Sequence, residues 1–343
     1  MTDEPEFVFE LRTCEWAERE WPPHDEPQPV VISRQLGTRR RRWDTLVLEV
    51  DPEAFRQRAA FGEDHLNADL LHVVRHAPAE WSWYRDVLPD PGYPWRYVRE
   101  AIHTAADRGA LETQRNGNRI EIRRIKPYPD WVRRIIAIEN KPDLDASAAR
   151  ALAGQLERDV ALGLADEVWL ATSTTGDYVE PALLEDLPPE AGILTLDHDA
   201  GAADVLWYPR SLAVDEPGTR ILERPSGGRH DLSAARFEYV SPAEKRRKRL
   251  EIAERAYERG WRSHIETMRP DCRHYQLRRD GRAMLPWCGA KGRCQTGAEC
   301  SGACEQFEPE PPAWRTKGWP LDGGPGRAIR RLLAARRERR RPE

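Results

Sequence analysis

One short stretch constrains this chain more than any other. Trp131 to Glu139 contains the apolar run Ile135-Ile136-Ala137-Ile138 and closes on Glu139-Asn140-Lys141. An uninterrupted apolar run rich in β-branched isoleucine reads as a buried strand. Side chains alternate along a strand, so Glu139 and Lys141 project to the same side while Asn140 projects to the other. A carboxylate and an ammonium therefore face one place at the end of a core strand.

The remaining pattern supplies neighbours for that strand. Residues Glu6 to Glu20 fit a short amphipathic helix that stops at Trp21-Pro22-Pro23. Val30 to Leu36 and Trp43 to Val50 read as two strands joined by the basic turn Gly37 to Arg42. A helix is expected from Ser147 to Leu164, and strands at Glu167 to Thr172, Gly192 to Leu196 and Asp204 to Tyr208. Helix, strands, helix and further strands describe an α/β layout around a central mixed sheet.

Between the second and third strands the period changes. Helical stretches at Leu70 to His76, Glu80 to Leu88 and Pro94 to Arg108 precede a hairpin, Leu111 to Ile125, that turns on Asn116-Gly117. That is the order of a winged helix-turn-helix, inserted into the α/β unit. In such a unit the third helix enters the major groove, so Arg96, Arg99 and His103 would face nucleic acid and Arg115 and Arg119 would lie on the wing. Glu100, Asp107 and Glu121 dilute this charge, and a protein-protein role is the competing reading.

The expected organisation is a core in two parts, 1–62 and 127–214, interrupted by the winged helix at 63–126. A Pro/Gly-rich linker at 215–240 leads to a basic helix at 241–268, opened by the capping box Ser241-Pro242-Ala243-Glu244. A Cys-rich module at 269–312 and a basic tail at 313–343 complete the chain.

Phosphodiester hydrolysis needs hard oxygen ligands for Mg²⁺ (or Mn²⁺), an activated water and positive charge near the attacked phosphate. Glu139 and Lys141 supply part of that set. The second carboxylate is either Asp130 or Asp44. Asp130 precedes Glu139 by nine residues, about 30 Å along an extended strand at roughly 3.3 Å per residue, too far to share an ion. Asp44 has no such limit if its strand lies beside Trp131 to Glu139.

With Arg41-Arg42-Trp43-Asp44-Thr45-Leu46-Val47 set beside Ile136-Ala137-Ile138-Glu139-Asn140-Lys141, the chain resembles the PD-(D/E)XK nuclease superfamily, and its RecB-like branch most. The resemblance implies a restriction-endonuclease-like fold. It also implies that Asp44 and Glu139 bind the metal with the Asn140 carbonyl, and that Lys141 orients the attacking water. RecB-like members carry a glutamine on the following helix, matched by Gln155; where they place a tyrosine four residues later, this chain has Asp159. The long gap between Asp44 and Glu139 is a second departure, which the insertion explains. The layout is also similar to an uncharacterised group of proteins from halophilic archaea. Glu10 on the first helix either points into the same site or sits on a solvated helix face, the commoner meaning of such a residue.

Of six cysteines, Cys14 stands alone, whereas Cys272, Cys288, Cys294, Cys300 and Cys304 crowd together with His274 and several glycines. In a reducing compartment this reads as a metal module before disulfides. Four thiolates, or three with His274, suit tetrahedral Zn²⁺; a [4Fe-4S] cluster is the alternative. The net charge of −4 gives no global pull toward nucleic acid. The basic runs Lys245 to Arg249 and Arg336 to Arg341 read first as solvated charge. With no secretion signal and no apolar run of transmembrane length, a cytoplasmic protein is expected. The functional expectation is a metal-dependent endonuclease acting on DNA; the rival is a non-catalytic DNA-binding or regulatory protein on a degenerate nuclease fold.

Overall fold

The computed structural model describes residues 5–309 apart from 145, 174–184, 199, 224–235, 270–271, 282 and 301–302. The protein is a mixed α/β protein built on a six-stranded sheet, with helices and smaller antiparallel sheets around it. Helix α1 (Glu6–Glu20) leads into a hairpin of β1 (Val30–Gly37) and β2 (Arg42–Val50). β2 pairs antiparallel with β6 (Val132–Asn140). β7 (Glu167–Ser173) and β8 (Gly192–Asp197) continue parallel to β6, and β9 (Ala202–Trp207) closes the sheet antiparallel. The order across the sheet is β1-β2-β6-β7-β8-β9.

Alternation along the central strands feeds two cores. Val47, Ile136 and Ile138 face α1 and pack with Phe9, Leu11 and Trp16. Leu46, Leu48, Ala137 and Leu170 face the other side, which is covered by α6 (Ala146–Leu162) and α7 (Pro242–Arg259). A sheet buried on both faces explains why its inner strands read as continuous apolar runs.

Residues between β2 and β6 form a unit with its own core of Leu70, Val73, Val98, Ile102 and Ile122, among others. In order, they are α2 (Pro52–Ala59), α3 (Ala68–His76), β3 (Ser82–Trp83), α4 (Tyr84–Val87), α5 (Trp95–Asp107), β4 (Leu111–Asn116) and β5 (Arg119–Arg124). Gly117 sits at φ 59° in the β4–β5 turn, where a residue without Cβ is favoured. Helix α2 was not anticipated, although Asp51 caps it and Pro52 opens it. The helix expected over Glu80 to Leu88 is only one turn, because Ser82 and Trp83 pair with Ile122 and Glu121 of β5.

The expected linker at 215–240 is also corrected. β10 (Gly218–Glu223) and β11 (Arg236–Val240) form an antiparallel pair within it. Thr219 donates to the Ala161 carbonyl of α6, and Ile221 joins the core. The capping box forms at Ser241 and Glu244, but α7 ends at Gly260 and a 3₁₀ helix, Trp261–Thr267, follows. The basic run on α7 is not one solvated face: Lys245 is buried and donates to the Ala213 carbonyl, and Arg249 pairs with Asp166. The Cys-rich segment contains a three-stranded sheet of β12 (Tyr275–Asp280), β13 (Ala283–Cys288) and β14 (Arg293–Cys294). The tail at 313–343, with Arg336 to Arg341, lies outside the described residues. Among the described residues no helix is long and apolar enough to cross a membrane.

Candidate active site

Thr45 pairs with Ile138 in the antiparallel β2–β6 ladder, and one further step sets Asp44 across from Glu139. The Asn140 backbone N–H donates to Asp44 Oδ2 at 3.0 Å and fixes that carboxylate at the strand end. Asn140 itself turns away, and its side-chain amide donates to Thr45. The alternation inferred from sequence thus leaves Glu139 and Lys141 together, at the carboxyl ends of β6 and its parallel neighbour β7, where open α/β sheets bind ligands.

Asp44, Glu139, Lys141 and Gln155 line one cavity of about 740 Å³ with Arg41, at the amino ends of α1 and α6. All four residues singled out as catalytic from sequence are therefore in one place. Asp130 is elsewhere, in a groove formed by β6 and α7. Lys141 Nζ lies 3.7 Å from Glu6, an exposed pair that constrains it little.

Behind the cavity is a buried charge network that spacing did not reveal. Arg41 donates through Nε and Nη2 to both oxygens of Asp159, at 2.8 and 2.6 Å, and Trp43 Nε1 donates to Asp159 at 3.0 Å. Arg41 Nη2 also lies 2.6 Å from Glu139 Oε1. That second contact is an ion pair without hydrogen-bond geometry, since Oε1 has no hydrogen-bond partner. The Asp159 that departs from the RecB-like tyrosine thus anchors the arginine that faces Glu139.

Burial pushes the Glu139 carboxyl well above its ordinary range, the Asp44 charge adds to the rise, and Arg41 opposes it. Asp159 is raised for the same leading reason, opposed by Arg41. A protonated or metal-bound Glu139 relieves that cost; an ionised one standing alone does not.

Glu10 is not on a solvated helix face. It is buried, receives Arg34 through Nε and Nη2 at 3.0 and 2.8 Å, and receives Gln35 Nε2 at 3.1 Å. The same Gln35 nitrogen donates to Asp44 Oδ1 at 2.9 Å. Gln35 adopts φ 50°, unusual for a residue with a Cβ, while its neighbours Arg34 and Leu36 keep one register with Thr45 and Trp43 of β2. Its side chain reaches Asp44 from this left-handed position, and no sequence signal announced it.

Arg96, Arg99 and His103 are exposed on α5, opposite buried Val98, Ala101 and Ile102. Arg115 and Arg119 are exposed on the β4–β5 hairpin, with Arg119 over the Trp83 ring. None of the five lines the carboxylate cavity.

The five cysteines divide. Cys272 and Cys300 share a small core with Met268 and Tyr275. Cys288 pairs with Tyr275 across β12–β13, and Cys272 bridges to Pro309, a few residues after Cys304. Burial raises the Cys300 thiol, and nearby Cys272, Cys288 and Cys304 raise it further against the Arg269 N–H bond to its Sγ. Cys294 instead packs toward α1, near Asp280 and Arg12. His274 meets Glu308. Among the described residues, no group of three or more His, Cys, Asp or Glu side chains is arranged to hold a metal ion, and the cysteines form no disulfide.

A mixed α/β protein with a carboxylate-lysine cavity at its strand ends is the class this geometry defines. The chain belongs to a family of unknown function, DUF5787, whose profile matches residues 31–309. No curated protein and no solved structure matches it.

Proposed function

We propose that the protein is a metal-dependent nuclease with a restriction-endonuclease-like core of the PD-(D/E)XK type, acting on DNA. The observation that carries this reading is the convergence of Asp44, Glu139, Lys141 and Gln155 in one cavity from strands and a helix far apart in sequence. Two carboxylates, Asp44 and the buried Glu139, lining one cavity fit a hard divalent ion such as Mg²⁺ or Mn²⁺. Asp44 and Glu139 would hold it, with the Asn140 carbonyl. Such an ion supplies a nucleophilic water near neutral pH and charge for the phosphorane-like transition state. Lys141 would bring an ammonium to the attacked phosphate and its water, and Gln155 lines the same cavity. Arg41 and Asp159 hold Glu139 in place.

The unit between β2 and β6 is read as a winged helix-turn-helix. A helix (α3), the short strand β3, the one-turn α4, the longer α5 and the β4–β5 hairpin support this, as do the exposed Arg96, Arg99, His103, Arg115 and Arg119. The Cys-rich module is read as a metal site of Cys272, Cys288, Cys300 and Cys304, for Zn²⁺ or a [4Fe-4S] cluster.

The test is cleavage of single-stranded, duplex and branched DNA with Mg²⁺ or Mn²⁺, comparing wild type with Glu139→Gln and Lys141→Ala. Cleavage by wild type alone is expected. DNA binding by all three proteins with cleavage by none would overturn the catalytic reading and leave a DNA-binding protein.

A further inference from the structure

The turn between β1 and β2 sorts its arginines. Arg41 points inward to Asp159 and Glu139, whereas Arg42 is exposed. Arg42 is the cross-strand partner of Gly37, and the Gly37 carbonyl accepts from Arg255 Nη2 of α7. One helical turn on, Arg259 donates through Nη1 to the Gln35 carbonyl at 3.1 Å and through Nε to Ser263 at 3.2 Å. Three guanidiniums are therefore gathered on the end of one hairpin.

Among the described residues, none of these three has a carboxylate within ion-pair distance. Nearby Arg34 is already matched by Glu10. Burial and then the surrounding Arg34, Arg42 and Arg255 all disfavour the charged form of Arg259, which Glu10 offsets only in part. Collecting like charges against main-chain carbonyls costs stability unless an anion is shared among them. Guanidinium forks suit the oxygens of phosphate, which they contact bidentately.

The position gives the anion its identity. Gln35, whose carbonyl Arg259 holds, donates through its side chain to Asp44. The cluster is thus one residue removed from the carboxylate cavity, along the sheet edge. We propose that Arg42, Arg255 and Arg259 form a phosphate-binding shelf that holds the nucleic-acid backbone beside the cavity, making the end of α7 part of the substrate surface. This rests on the nuclease reading for the identity of the strand, but not for the existence of the anion site.

The experiment measures binding of short labelled duplex DNA against salt concentration, with Ca²⁺ replacing Mg²⁺, for wild type, Arg42→Ala and Arg42→Ala/Arg259→Ala. Cleavage in Mg²⁺ is followed in parallel. Arg42 is exposed at a strand end, so its replacement leaves folding intact, and a melting curve verifies the double variant. Each phosphate contact contributes about 0.9 to the slope of log affinity against log salt. The slope is expected to fall by about 1 per arginine removed, with roughly tenfold weaker binding for each. Unchanged slopes in both variants while wild type still cuts would overturn the shelf and leave the nuclease intact. Falling slopes in a protein that cuts nothing would support the shelf and overturn the nuclease.

Discussion

Replacing Asp159 with asparagine tests whether the buried arginine network sets the charge of the candidate metal site. Asp44, Glu139 and Asp159 surround a single inward guanidinium, Arg41. With Asp159 matched to Arg41, the Asp44 and Glu139 carboxylates are left to face a divalent ion. The asparagine side chain would keep one acceptor for Trp43 but present amide hydrogens to Arg41 and remove one charge. Breaking a buried pair from one side costs about 3–5 kcal/mol. Glu139 remains 2.6 Å from Arg41, so the low end, about 3 kcal/mol, applies. In a chain of this size that corresponds to a Tm loss of roughly 4 °C. Arg41, no longer shared, would then neutralise Glu139 alone. Losing such a supporting contact typically weakens metal binding by about 10- to 100-fold. Calorimetric titration with Mn²⁺ and a melting curve read both numbers. A variant that melts within about a degree of wild type and binds Mn²⁺ equally well would refute the argument that Asp159 positions Arg41 and, through it, Glu139.

Other expectations follow from the same geometry. The Glu139 carboxyl is raised from its ordinary 4.5, so the folded protein holds this proton to higher pH than the unfolded chain does. Metal-free stability should therefore fall as pH climbs from about 4.5 through the raised value, while Mn²⁺ binding tightens over the same window and releases a proton. Calorimetry in buffers of different ionisation enthalpy detects that proton, and its persistence in Glu139→Gln would assign it elsewhere. Glu254 accepts from Arg58 Nε and Nη2, the Tyr128 hydroxyl and the Leu66 N–H, tying the inserted unit to α7. Glu254→Gln should cost about 3–5 kcal/mol, read by chemical denaturation, and a loss below about 1 kcal/mol would mean the junction relaxes around the change. Elemental analysis with visible absorption should find bound zinc or iron lost in Cys300→Ser and kept in Cys294→Ser, and equal loss in both would return Cys294 to the site.

Much of the catalytic proposal was legible because it depends on short-range periodicity. Alternation put Glu139 and Lys141 on one side of a strand, and helical spacing put Gln155 and Asp159 on one face of α6. The basic turn at Gly37 to Arg42 announced the hairpin that carries Asp44. Where local patterns were weak the reading failed: Gly218–Glu223 looked like linker, yet it forms a strand because α6 and α7 offer it an apolar wall.

For the central sheet and for α1, α6 and α7, the sequence by itself determined which segments are strands and helices and which side chains share a face, since those follow from a few consecutive residues. Only the tertiary structure decided which partners those faces meet. Asn140 meets Asp44 across 96 residues, and Arg41 meets Asp159 across 118. It buried Glu10 beside Arg34, separated Cys294 from Cys272, Cys288, Cys300 and Cys304, and turned Arg41 inward while leaving Arg42 outside. A charged residue reads alike in sequence whether solvated or paired. Its meaning is set by the dielectric and the partner that folding brings to it.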